Sequence, residues 1–224
     1  MNTIHNWKAW IGTDEAGKGD YFGPLVVAGV YVNADCQDEF MSKEITDGKK
    51  ISNPRVRKLA DWMWKHYERH IAVSQKMPED YNSFYEALKE HGQNLNTMLA
   101  KLHVKVIQTL ANRVEAKNAL VDKFASNDVI TPQLTQQDIR IKQETKAERD
   151  IAVAAASVIA RDAFLRGIEA LSQKYELLLP RGSYQVTEAG KEFIKLHGTE
   201  ALRNVAKLHF SLTDVVLNPE SGRP

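Results

Sequence analysis

The sequence predicts a mixed α/β fold, a single sheet covered by helices. Three observations predict it: two apolar segments, 7–13 and 24–32, flank a glycine-rich stretch; helical periodicities then alternate with short strand-like runs; no segment of linker composition interrupts the series. The 224 residues suit one domain, expected to span 1–224, with a C-terminal helical lobe over about 180–212 and a frayed tail over 217–224.

The elements follow in order. Segments 7–13 and 24–32 read as strands. In 53–70, apolar residues at Val56, Leu59, Ala60, Met63 and Tyr67 keep helical spacing, with Asn53 as N-cap and Pro54 as first helical residue. A strand is expected over 70–77, then helices over 78–92, stopping at Gly92, and over 94–112, capped by Asn94. "NALVDKF" (118–124) reads as a buried strand carrying an aspartate, and "DIRIKQE" (138–144) alternates as a strand does. The longest helix is expected over 147–175, followed by two more over 186–197 and 199–207.

Composition narrows the function classes. With 43% hydrophobic and 26% charged residues the chain has globular character, and its longest apolar run, "PLVVAGVYV", is too short to span a bilayer, so no membrane partner is expected. "MNTIHNWKAW" lacks the basic and apolar regions of a signal peptide, and the one cysteine, Cys36, excludes a disulfide framework within the chain; a cytoplasmic location is expected. Net charge is +1, from 30 basic and 29 acidic side chains. That balance carries no global nucleic-acid signature, yet a carboxylate cluster would offset a basic surface in the sum.

The acids carry the chemistry. Asp14 and Glu15 stand straight after the first expected strand and just before Gly17, Gly19 and Gly23. Successive strand side chains point to opposite faces, so both carboxylates reach one ion only if the strand ends or bulges there. The pair reads either as a metal site or as a surface acidic pair. Asp122 lies in an apolar strand, where an ionised carboxylate is costly unless paired or metal-bound. A further acid in "TKAERD" is either Glu148 or Asp150, the other being an ordinary residue at a helix start. Carboxylates without a cysteine or histidine cluster favour Mg²⁺ or Mn²⁺ over zinc. Such ions serve phosphoryl chemistry, in pairs about 3.5–4 Å apart.

Gly17-Lys18-Gly19 is neither a Walker motif nor a dinucleotide fingerprint; it reads as a turn whose amides can approach a phosphate or sugar hydroxyl, or simply as a tight hairpin turn. Lys49 and Lys50, with Arg55 and Arg57 beyond, read as phosphate contacts or as a solvated basic face. His103 and His209 are open to structural and catalytic readings; His209, at a helix end, leans to the structural one.

Together these segments resemble the type 2 ribonucleases H and, within them, ribonuclease HIII. "GTDEAGKGDYFGPLVVAGVYV" resembles that family's opening signature, and "YNSFYEALKEHGQNLNTMLAKLHVKVI", "LVDKF", "TKAERDIAVAAASVIAR" and "LRNVAKLHF" follow in the family's order, from about residue 10 to 212. The resemblance implies the ribonuclease H fold, and Mg²⁺- or Mn²⁺-dependent cleavage of the RNA strand of an RNA/DNA hybrid, with two ions acting, 5′-phosphate and 3′-hydroxyl ends left, and the chain a monomer. Carried over by position, it places metal-binding acids at Asp14, Glu15, Asp122 and Glu148. The stretch between "KAE" and "AAAS" is one residue shorter than the family pattern, which keeps Asp150 as the alternative. Substrate contacts fall at Gly17, Lys18, Gly19, Lys49, Lys50 and Arg161.

Two departures follow. The family's N-terminal substrate-binding domain is expected to be absent, since the paired acids begin at residue 14. The junction-reading tyrosine of the related ribonuclease HII group is replaced by Ser183, with Tyr184 beside it, so poor action on a single embedded ribonucleotide is expected. The rival readings are a junction-specific enzyme, an inactive hybrid-binding protein, and a nuclease or phosphotransferase of the same fold acting on DNA.

Overall fold

The computed structural model describes residues 4–114, 116–125, 128–134, 138–182 and 185–218. A five-stranded sheet has the order β3-β2-β1-β4-β5, built from β1 (Ala9–Ala16), β2 (Leu25–Asn33), β3 (Ile71–Lys76), β4 (Asn118–Asp122) and β5 (Arg140–Glu144). β1 pairs antiparallel with β2 and parallel with β4, and β4 pairs parallel with β5. The helices are α1 (Ala34–Ser42), α2 (Asn53–Tyr67), α3 (Pro78–Glu90), α4 (Leu95–Val114), α5 (Ile151–Lys174), α6 (Val186–His197) and α7 (Leu212–Leu217). Among them no helix is long and apolar enough to cross a membrane.

The chain divides into two compact units. One takes in Met1–Ala16, Val26–Ser74 and Gln93–Asp162, the other Gly17–Leu25, Gln75–Gly92 and Ala163–Pro224. The lobe expected over about 180–212 falls within the second.

In the first unit β1 is central, and its two faces are covered by different helices. A Cβ on Gly12 would lie 2.3 Å from the Ala152 backbone, so the absence of a side chain lets α5 close on that face. The alanines of "IAVAAASVIA" extend this contact: Ala152, Ala155, Ala156 and Ala160 are all fully buried. The next residue, Thr13, faces the other way and meets His103 of α4.

In the second unit one amide organises the chain after α6. Asn82 of α3 donates from Nδ2 to the carbonyls of Arg203 (2.9 Å) and Ala206 (2.8 Å), and its Oδ1 accepts from Leu208 N–H. Lys207 is fully buried; its backbone N–H donates to Tyr21 O and its Nζ donates to Gly23 O at 2.8 Å. Burial lowers the Lys207 amine to about 7, against a partly opposing pull from Asp20.

Three expected elements differ. Segment 199–207 is a short 3-10 turn, Glu200–Asn204, because Asn82 captures the carbonyls that a helix would use. The long helix starts at Ile151, after a separate 3-10 turn, Ala147–Arg149, entered through Lys146 at φ 55°. Ser52, not Asn53, is the residue before α2; Asn53 is already helical and its Oδ1 accepts from Arg161 Nη2. The part of the expected tail beyond residue 218 lies outside the described residues.

Two predictions follow from this packing. Gly12→Ala forces α5 off β1 and lowers stability by about 1–3 kcal/mol or more, read from urea melts. Lys207 titrates near its ordinary 10.5 when unfolded but near 7 when folded. Between those values the unfolded chain binds more protons, so this residue's contribution rises with pH. The native chain should therefore gain on Lys207→Met by roughly a few kcal/mol between pH 7 and pH 10; a constant difference would refute the buried, depressed amine.

Candidate active site

The acids gather at the C-terminal ends of β1 and β4 and at the turn that leads into α5, all within the first unit. β1 does not bulge at its acidic pair: its register with β2 runs unbroken through Asp14↔Ala28 and Glu15↔Val27 to Ala16↔Val26. The pair is therefore split between faces. Asp14 follows Gly12 on the α5 face and Glu15 follows Thr13 on the α4 face. Asp14 is only 3% exposed, and its Oδ1 accepts from the Glu15 N–H at 2.8 Å.

Asp122 ends β4. Its Oδ1 accepts from the Ala147 N–H at 3.0 Å, which ties the strand end to the turn carrying Glu148. Burial raises the Asp122 carboxyl, and Glu15 and Glu148 push it further, against the Ala147 hydrogen bond. Asp14 is pushed up to about 8, first by burial and then by Glu15. Charge thus links Asp14 to Glu15 and Asp122, and Asp122 to Glu15 and Glu148.

Asp150 has a different occupation. Its Oδ1 accepts from Ala152 N–H (2.9 Å), Val153 N–H (3.2 Å) and Trp10 Nε1 (2.9 Å), and its Oδ2 lies 3.2 Å from His5 Nε2. It caps α5 and anchors the aromatic group His5, Trp7 and Trp10, in which the His5 and Trp7 rings stack 4.3 Å apart. A pocket of about 600 Å³ opens here, with Trp7, Lys50 and Glu148 among its walls.

Lys49 is the cation that answers the acids. Burial alone would lower its amine, but Asp14, Asp47, Glu15 and Asp122 outweigh burial and raise it. A docked turn holds it there. Asp47 Oδ1 accepts from Lys49 N–H (3.0 Å) and from Ser157 Oγ (3.1 Å); Ser157 Oγ accepts from Gly48 N–H (2.9 Å); Arg161 Nη1 donates to Gly48 O. Arg161, expected as a phosphate contact, is thus placed against the lysine turn. Lys50 has a side chain 64% exposed, 3.9 Å from both Asp47 and Glu148.

In the second unit, Gly17 has φ +84°, and a Cβ there would fall 2.1 Å from Pro24 O, so the turn after β1 needs glycine at this position. Gly19 has open space around it, and Lys18 is half-exposed. His209 stands among Tyr81, Tyr85 and Phe210, with Tyr81 Oη 3.3 Å from its Nδ1; burial, then Lys207, lowers it to about 4, in keeping with its structural reading. Ser183 and Tyr184 lie outside the described residues.

Among the described residues no three His, Cys, Asp or Glu side chains converge closely enough to ligate one ion. The donor set nonetheless fits a hard divalent cation. It offers only oxygen, and burial together with the neighbouring carboxylates holds Asp14 far above the usual carboxylate range against the opposing charge of Lys49. Sequence reasoning missed the counter-ion role of Lys49, which depends on Ser157 far along the chain. It favoured Glu148 but kept Asp150 as the alternative, although an aspartate two residues before the buried helical run is a capping signal.

The sequence model of the ribonuclease HII family matches residues 11–213. Ribonuclease HIII of Protochlamydia amoebophila is 39% identical over 210 residues, covering 92% of this chain and 68% of the relative. Ribonuclease HIII of Chlamydia pneumoniae is 36% identical, over 92% of this chain and 69% of its own length. Among solved structures, Bst-RNase HIII in complex with Mn²⁺ superposes with a TM-score of 0.85 at 32% identity, covering 96% of this chain and 71% of that one. The fold is that of the ribonucleases H, and with a family match running from β1 to α7, the chain belongs to the ribonuclease HII family and is a ribonuclease H, a phosphodiester-cleaving hydrolase.

Proposed function

We propose that this ribonuclease H cleaves the RNA strand of RNA/DNA hybrids, depends on Mg²⁺ or Mn²⁺, and leaves 5′-phosphate and 3′-hydroxyl ends. The observation that carries the reading is the gathering of Asp14, Glu15, Asp122 and Glu148 at adjoining strand ends and one turn, where burial first and then neighbouring charge raise Asp14 to about 8. The Mn²⁺ complex of the related Bst-RNase HIII supports it.

In this reading the four carboxylates hold two divalent ions, and Asp150, occupied as the α5 cap, is not among the ligands. When bound, such ions lower the pKa of a water and stabilise charge on a departing oxygen. The chain's own groups do the rest. Burial of Asp14 keeps competing water from its carboxylate. Lys49 limits the negative charge that an approaching phosphate meets. Lys50, largely exposed, contacts a backbone phosphate, and Arg161 and the Asp47–Ser157 pair hold the turn that presents both lysines. The 17–19 turn contacts the 2′-hydroxyl, the group that distinguishes RNA from DNA.

Two measurements check this. Asp14→Asn keeps shape and removes charge; cleavage should fall by at least ~10³-fold, a loss of about 4 kcal/mol of transition-state stabilisation, while circular dichroism and the melting temperature show an intact fold. Near-native cleavage by the folded variant would exclude Asp14 from the site. On end-labelled duplexes with Mn²⁺, RNA paired with DNA should be cut, all-DNA duplex left intact, and a single embedded ribonucleotide cut poorly. Efficient junction cutting of the third substrate would instead assign ribonuclease HII-like specificity, with Tyr184 the first residue to test.

A further inference from the structure

Beneath the acids, one side chain touches β1 and the chain just beyond β4 and has no part in the reading above. His103 of α4 is fully buried. Its Nδ1 lies 2.9 Å from Thr13 Oγ1, also fully buried, on the residue before Asp14. Its Nε2 lies 3.5 Å from Glu15 Oε2. Its ring stacks on Phe124, two residues past Asp122, with centroids 5.0 Å apart and planes 14° from parallel. A buried imidazole is commonly held in one tautomer by the partner of its other nitrogen. Here Nδ1 has a hydroxyl partner, whereas Nε2 is buried without a hydrogen bond and is aimed at a carboxylate.

We infer that His103 is a positioning residue for Glu15. Thr13 donates its hydroxyl proton to Nδ1, which leaves the proton of the neutral ring on Nε2. The Nε2–H then donates to Glu15 Oε2, fixing the carboxylate so that Oε1 is presented to a divalent ion. Charge-assisted hydrogen bonds of this kind run at about 2.7–2.9 Å; at 3.5 Å the two atoms stand within a small side-chain adjustment of one. The stack on Phe124 couples the same ring to the chain just beyond Asp122. The inference rests on the proposed metal site and names what holds one of its ligands in register.

The geometry gives the test three independent readouts. His103→Phe keeps the ring, its volume and the Phe124 stack but removes both nitrogens. Outer-shell partners of ligating groups are worth about 10–100-fold in metal affinity, so titration calorimetry of the metal-free protein should show Mn²⁺ binding weakened by about that factor. His103→Gln, which returns an N–H donor at similar reach, should recover most of the loss. Raising Mn²⁺ should restore cleavage by His103→Phe, with the change appearing in the metal dependence rather than in KM for the duplex. The third readout needs no variant: ¹⁵N chemical shifts of His103 in the unaltered protein should report the Nε2–H tautomer, and Mg²⁺ should move the Nε2 resonance. Native Mn²⁺ affinity in folded His103→Phe, or an Nδ1–H tautomer, would overturn the inference and leave the metal site standing. No Mn²⁺ binding by the unaltered protein would overturn the metal site itself.

Discussion

The first unit is organised around one costly placement, the nearly complete burial of Asp14 at the end of a central strand. A carboxylate there loses most of its hydration, and Glu15 and Asp122 add like charge, which is why Asp14 is driven to about 8. Such an arrangement persists only where the surrounding fold over-determines it. That support is visible: β1 is paired on both sides, α5 presses on Gly12 two residues before Asp14, and Lys49 is brought in from a turn pinned by Ser157 and Arg161. Stability is given up locally for a concentration of carboxylates whose charge a proton or a cation relieves.

The two faces of β1 share this work. On the α5 face stand Asp14, the lysine turn and, at the head of the helix, the turn carrying Glu148. On the α4 face stand Glu15, Thr13 and His103. Strand alternation, which at first sight forbids two neighbouring carboxylates from serving one site, instead gives each its own supporting helix. The carboxyl end of parallel strands is where α/β sheets place ligands, because chain leaves the sheet there in turns that can be specialised. β1 and β4 both end in that way, and the β5–α5 connection supplies the remaining acid.

Much of this was legible in the sequence because it rests on local pattern. The strands, α2 to α4, α6, and the placing of the acids at strand ends and one turn follow from periodicity and punctuation. What escaped depends on partners distant in sequence. α1 was missed because only Cys36 and Phe40 of its residues are buried, too little apolar pattern to show; its start is set instead by Asn33 accepting from Cys36 N–H. The 3-10 turn at 200–204 stands where a helix was expected because Asn82, more than a hundred residues away, takes its carbonyls. The acidic pair in "AERD" shows the same limit. Two acids two residues apart look equivalent on paper, yet Trp10 and the α5 amides occupy Asp150 while Glu148 is left beside Lys50 and Asp122.

The near-neutral total charge follows from the same arrangement. A net charge of +1 gives a polyanion little long-range reason to approach, and a carboxylate cluster by itself repels phosphate. Recognition must then be local. In the proposed reading Lys50, beside Glu148 and largely exposed, meets the backbone first, whereas Lys49, also exposed, answers the charge of Asp14, Glu15 and Asp122 as a counter-ion. The two lysines are adjacent in sequence, but in the turn that Asp47 and Ser157 pin they answer different acids, Lys49 those of the strand ends and Lys50 Glu148. Divalent ions, as proposed, would complete the balance by turning the carboxylates from a barrier to phosphate into its anchor. In the proposed reading the ions are therefore as much a part of substrate binding as of bond cleavage, which lets a chain of nearly balanced charge act on a nucleic acid.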